Sequence, residues 1–86
     1  MRDLEFSPQE FQDLTWWVTF DRKRALPLLR LITETQSDPF GGIGKPEPLK
    51  YDLKGCWSKR IDDEHRLVYE VSDAKIRILS CRHHHD

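Results

Sequence analysis

The chain has 86 residues, and its 14 Lys/Arg against 15 Asp/Glu give a formal net charge of −1, so we expect one domain over residues 1–86 without a bulk basic field for capturing free nucleic acid. A chain this short buries only about 60 to 65% of its unfolded surface, so its core must use large residues, here three Trp, four Phe and two Tyr. Two cysteines make no disulfide framework, no apolar run nears the roughly 20 residues of a membrane span, and the early charges Arg2, Asp3 and Glu5 do not suit a signal peptide; we expect a cytoplasmic chain with reduced thiols and no membrane partner.

Leu4-Glu5-Phe6 alternates apolar and polar and predicts a short strand. Ser7-Pro8-Gln9-Glu10 predicts a helix start, with Ser7 as cap, Pro8 in the first position and Glu10 closing a capping box. Phe6 and Phe11 are placed to form the accompanying hydrophobic staple. Phe11, Leu14, Trp17 and Val18 follow at helical spacing and are expected to face the core. Asp21 is predicted to cap a second helix, with a stripe of Leu26, Leu29 and Ile32 flanked by Leu28 and Leu31, running to about Glu34. Pro27 interrupts that stripe, and because an internal proline costs about 3 kcal/mol, a boundary or kink is expected there. Ser37 to Gly42 has loop chemistry.

From Lys45 the period changes. Pro46 and Pro48 hold Lys45 to Lys50 extended. Cys56 to Ile61, His65 to Val71 and Lys75 to Arg82 are rich in aromatic and β-branched residues, turning at Asp62-Asp63-Glu64 and Ser72-Asp73-Ala74. They predict a three-strand antiparallel meander, which the first strand is able to join. Two helices packed on such a twisted antiparallel sheet make an α+β domain.

The second half also collects Glu47, Lys50, Lys59, Arg60, Arg66 and Arg82, followed by His83, His84 and His85. These are the parts for metal-free RNA cleavage. A carboxylate takes the ribose 2′-OH proton, cations stabilise the phosphorane, and an imidazolium protonates the leaving 5′-oxygen. Each has a plainer reading. Glu47 can be a solvated surface charge, and Arg66 can pair with Glu64 or Glu70 for about 0 to 1 kcal/mol. His65 reads as structural or solvent-facing, and Trp16, Trp17 and Trp57 as core rather than stacking platforms. On a continued strand His83 and His85 share one side and His84 faces the other, so the three do not make a rigid metal site. Cys81 adds no strong ligand spacing, and no metal or other cofactor is expected.

Three blocks decide between these readings: Lys45-Pro46-Glu47-Pro48-Leu49-Lys50, Gly55-Cys56-Trp57-Ser58-Lys59-Arg60-Ile61 and Glu64-His65-Arg66-Leu67-Val68-Tyr69. In this order and spacing, with Cys81-Arg82 at the end, the chain resembles the YoeB (Txe) toxins of the RelE/ParE superfamily. The resemblance runs in register over the last half, and the first half agrees in layout. It implies a RelE-like fold and ribosome-dependent cleavage of messenger RNA in the decoding site, giving a cyclic phosphate and a 5′-hydroxyl. By motif position it implies Glu47 as general base, Arg66 as phosphate stabiliser, and Lys50 and Arg60 as supporting RNA contacts, with Lys59, Arg82 and His83 in the same cleft. It places the family's terminal histidine, the general acid, at His84.

The ending departs from the family's Arg-Tyr-His-Tyr, since His83 and His85 replace both tyrosines and Asp86 follows. His85 can therefore compete with His84 for the acid role, and an altered nucleotide preference is expected. The resemblance implies the 70S ribosome and mRNA as partners, a YefM-like antitoxin, operator DNA only through the antitoxin complex, and room for a homodimer. A ribosome that presents the substrate also answers the charge: residues 1–43 carry 5 Lys/Arg and 7 Asp/Glu, residues 44–86 carry 9 and 8, so only a local basic cleft is available. The alternative from another class is a catalytically weakened homologue that serves as antitoxin-binding corepressor. A ribonuclease acting on free RNA fits the near-neutral charge less well.

Overall fold

The computed structural model describes residues 1–50 and 53–82. In chain order the elements are β1 (Asp3–Phe6), α1 (Pro8–Phe20), α2 (Arg22–Ser37), β2 (Glu47–Pro48), β3 (Cys56–Arg60), β4 (Arg66–Val71) and β5 (Lys75–Ser80). The strands form one sheet in the order β1-β5-β4-β3-β2. The predicted meander is β3-β4-β5, and β2 adds antiparallel to its outer edge. The sheet is mixed rather than wholly antiparallel, because β1 lies parallel to β5 with Leu4 opposite Ile76 and Phe6 opposite Ile78. A parallel pair needs a long crossover. The helices and the rest of the sheet supply it.

At the start of α1 the Phe6–Phe11 staple forms edge to face, with ring centroids 6.3 Å apart. The capping box does not. The Ser7 hydroxyl hydrogen-bonds the Glu10 carboxylate instead of accepting from a helix amide, and only the Ser7 carbonyl enters the helix, accepting from Phe11 N. Asp21 does cap α2, accepting from Arg24 N.

The expected break at Pro27 is absent, and α2 runs from Arg22 to Ser37. Pro27 sits in the second turn, so its missing N–H removes one early helix bond while packing holds the rest. That packing uses a different phase from the predicted stripe. Ala25, Leu28, Leu31, Ile32 and Thr35 are buried, whereas Leu26 and Leu29 are exposed. On α1 the inward residue is Trp17, with Leu14 and Trp16 packed beside it, whereas Phe11 and Val18 are exposed.

Trp17, Ala25, Leu28, Leu31 and Ile32 pack on Leu67, Tyr69, Ile76, Ile78 and Cys81, so both helices cover one face of the sheet. Strand alternation turns Ser58, Arg60, Arg66 and Val68 to the other face, which neither α1 nor α2 covers. No helix among the described residues is long and apolar enough to cross a membrane.

Candidate active site

The open face is organised by register. Glu47 of β2 is opposite Ser58 of β3, Ser58 is opposite Val68 of β4, and Val68 is opposite Ser80 of β5. These four residues form a row across the sheet, with about 4.8 Å between neighbouring strands. Arg66 lies two residues from Val68 on β4 and reaches back, its guanidinium donating to Ser58 Oγ at 3.4 Å. Ser58 is therefore shared: its backbone is paired with that of Glu47, and its buried hydroxyl receives Arg66. The Glu47 side chain is exposed on this face.

Arg60 and Arg66 are directly opposite each other on β3 and β4. Like charges in that position repel. Among the described residues neither arginine has a carboxylate within ion-pair distance. Two guanidinium groups facing each other on the side of the sheet away from α1 and α2 suit a polyanion, since an arriving phosphate would relieve the repulsion. Beside them is a cavity of about 330 Å³ lined by Leu49, Leu53, Ser58, Arg66, Val68, Leu79 and Ser80.

A bulge shapes the far wall of this cavity. Tyr69 pairs with Ile78, but Val68 pairs with Ser80, leaving Leu79 as an extra residue in β5. The bulge brings Ser80 into the row containing Glu47 and turns the next residue, Cys81, into the core. Past it α1 holds the chain. Trp17 Nε1 donates to the Cys81 carbonyl at 2.8 Å, and the Cys81 thiol faces the Glu10 carbonyl at 3.7 Å. Arg82 stacks over the Trp16 ring at 3.8 Å, 4.0 Å from Asp13.

A family model for the YoeB-like toxins of bacterial type II toxin-antitoxin systems matches residues 6–85. The chain belongs to the YoeB toxin family. Toxin YoeB of Mycobacterium bovis is 52% identical to it over 85 residues, covering 99% of this chain and all of that one. The YoeB dimer from Staphylococcus aureus superposes with a TM-score of 0.87 at 41% identity, covering 98% of each chain. YoeB in the YoeB-YefM complex from the same organism gives 0.86 at 40% identity, covering 99% of each.

Of the YoeB-type site expected from the sequence, Glu47, Arg60 and Arg66 come together on the open face, and exposed Lys50 follows the strand carrying Glu47. Lys59 does not join them. Its side chain is 0% exposed beneath the helices, where its ammonium donates to the Asp38 carbonyl at 3.1 Å and lies 3.7 Å from Glu34. Alternation along β3 puts it on the face opposite Ser58 and Arg60, so the expected RNA contact is corrected to a structural role. Burial lowers the Lys59 ammonium's pKa, and the Glu34 and Asp38 carboxylates oppose that shift.

Arg82 is likewise engaged by Trp16 and Asp13, which draw it toward α1. Strand β5 ends at Ser80 rather than continuing to Arg82, and His83, His84 and His85 lie outside the described residues. His65 takes the structural reading, with its ring edge-on to Trp17 at 4.9 Å and its Nδ1 3.1 Å from Asp62. Sequence reasoning missed Ser58 as the seat of Arg66 and the bulge at Leu79. The serine was visible, but its partner depends on strand register.

Proposed function

We propose that the chain is a ribosome-dependent mRNA endoribonuclease, the toxin of its toxin–antitoxin pair. The observation carrying this reading is the Glu47–Ser58 register with Arg66 seated on the same serine, beside Arg60, which has no ion pair among the described residues. A carboxylate and two guanidinium groups sharing one open surface support it. Glu47 accepts the 2′-hydroxyl proton, and the freed oxygen attacks the adjacent phosphorus. Arg66 neutralises the charge that builds on the phosphoryl oxygens, with Arg60 and Lys50 aligning the strand. The bond from phosphorus to the 5′-oxygen breaks, leaving a 2′,3′-cyclic phosphate. A terminal histidine, His84 or His85, supplies the proton for the 5′-hydroxyl. Proton transfer of this kind contributes about 100- to 10,000-fold, and positioned cations add to it. The chemistry needs no metal or other cofactor.

A net charge of −1 supports delivery of RNA by the ribosome over capture from solution. The Staphylococcus aureus relatives, found as a dimer and with YefM, support a homodimer and a YefM-like antitoxin for this chain. Operator binding would then proceed through the antitoxin complex, and the site of action is the cytoplasm. Expression without antitoxin tests the reading: growth arrest that disappears in Glu47→Ala supports the enzyme. A harmless wild type that still binds antitoxin would favour the corepressor suggested by the altered ending.

A further inference from the structure

Glu47 stands on a strand that is poorly held by its own ladder. β2 is two residues long, and Pro46 and Pro48 on either side of Glu47 have no N–H to give. So short a pairing does not secure its own register. The backbone bonds that bracket it are Leu49 N to the Cys56 carbonyl at 2.9 Å and Arg60 N to the Gly44 carbonyl at 2.6 Å. The Gly44 end belongs to the irregular connection leaving α2 at Asp38.

That connection is held from inside the protein. Lys59 Nζ donates to the Asp38 carbonyl at 3.1 Å, and the buried Tyr69 hydroxyl donates to the Pro39 carbonyl. Glu34 Oε1, which lies 3.7 Å from Lys59 Nζ, also accepts from Ile43 N at 2.7 Å. The Lys59 stem underlies Gly44: a Cβ there would lie 3.0 Å from Lys59 Cβ and from Leu31 Cδ1. Lys59 is the only buried charged side chain among the described residues; its ammonium holds the segment that feeds β2 at Asp38, and its stem lies under the other end at Gly44. A buried ammonium is tolerated where carbonyl and carboxylate partners satisfy it. Here those partners belong to α2 and the connection that follows it.

We propose that Lys59 is a positioning residue for Glu47, setting the register of β2 against β3 through the Asp38–Gly44 connection. The proposal rests on Glu47 being the general base. It assigns Lys59 no contact with RNA.

The test pairs amide hydrogen exchange with single-turnover cleavage on translating ribosomes, comparing wild type, Lys59→Met, Glu47→Ala and the double variant. Methionine keeps an unbranched chain of similar length without the charge. The expected result is about tenfold faster exchange at the Arg60 and Leu49 amides in Lys59→Met, with β4 and β5 amides unchanged. Cleavage at saturating ribosomes should slow about tenfold without a change in the half-saturating ribosome concentration. The lysine change should add little in the Glu47→Ala background, because both remove the same group's action. Unchanged exchange at Arg60 overturns the proposal whatever the ribosome shows. So does an equal slowing of cleavage with and without Glu47, which would mean an independent role. If Lys59→Met does not fold, Tyr69→Phe removes only a hydroxyl from the same anchorage and should loosen the same two amides; unchanged exchange there overturns the proposal too. A wild type that cleaves nothing refutes the ribonuclease reading instead, a result distinct from both.

Discussion

The Trp17 indole nitrogen donates to the Cys81 carbonyl at 2.8 Å, joining α1 to a residue 64 positions further along the chain. The indole is fully buried, so this bond fixes where the chain leaves the sheet at the edge of the site. Trp17→Phe removes the donor and part of the ring. It should lower stability by about 1–3 kcal/mol, combining a lost buried hydrogen bond with a small cavity. Urea denaturation checks this through a lower midpoint at unchanged slope.

Gly44→Ala should also destabilise the fold, through backbone rather than side-chain loss. Gly44 has φ of +87°, and an added Cβ would lie 3.0 Å from Leu31 Cδ1 and Lys59 Cβ. A left-handed conformation forced on alanine costs about 1–2 kcal/mol, before the crowding is counted. Thermal melting should show the loss. Gly55→Ala has a similar φ of +90°, but an added Cβ meets no atom of the described residues within 4 Å, so it should suffer only the backbone part.

A pH-dependent contribution is expected from Asp62. Burial alone would push its carboxyl up, but the amides of Glu64 and His65, then the His65 ring, hold it below the usual carboxylate range. Those amides donate to Asp62 Oδ1 at 2.8 and 2.6 Å. A carboxylate depressed in the folded state stabilises the fold above its unfolded pKa of about 3.9 and loses that contribution as pH falls through the folded value. Asp62→Ala should therefore be less stable than wild type by about 1–3 kcal/mol at pH 7. The gap should narrow below about pH 4 as the wild-type carboxylate is protonated. Denaturation at pH 7 and pH 3 distinguishes this from a gap that stays constant.

Both thiols should be inert in the folded protein. Burial, helped by Asp13 and Glu10, pushes the Cys81 thiol up to about 12, and burial raises Cys56 as well, with Glu70 adding to the shift. Only thiolate reacts with iodoacetamide at a useful rate. Intact-mass measurement at pH 8 should find no alkylation of native protein and two additions after unfolding. Rapid native labelling at Cys81 would contradict its burial under α1.

The strands were readable because turn residues punctuate runs of aromatic and β-branched residues, and β3, β4 and β5 begin and end within two residues of expectation. The inward face of α2 was harder. Leucines and an isoleucine spaced three and four apart offer two overlapping phases, and the buried choice is marked by small Ala25 and Thr35 rather than by the largest residues. Lys59 is hard to place from sequence for a related reason. Ser58, Lys59 and Arg60 are consecutive polar residues, so alternation has no visible phase, and the partners that make a buried lysine tolerable are Glu34 and the Asp38 carbonyl on a distant element. The Leu79 bulge left no local mark, yet it decides which side of β5 faces the site. Glu47, Arg60 and Arg66 stand out in the sequence by their chemistry, and motif resemblance gives them their expected roles. Their convergence depends on register, which hydrophobic pattern does not supply at a two-residue strand.

In the proposed function Glu47 and Arg66 cleave messenger RNA presented by the ribosome. The decisive experiment is cleavage mapping on translating ribosomes with wild type, Glu47→Ala and Arg66→Ala on one message. Wild type should cut in the decoding site, leaving cyclic-phosphate and 5′-hydroxyl ends, and either variant should slow this about 100-fold or more. Glu47→Ala cutting at the wild-type rate, or wild type cutting naked RNA as fast as ribosome-bound message, would contradict it.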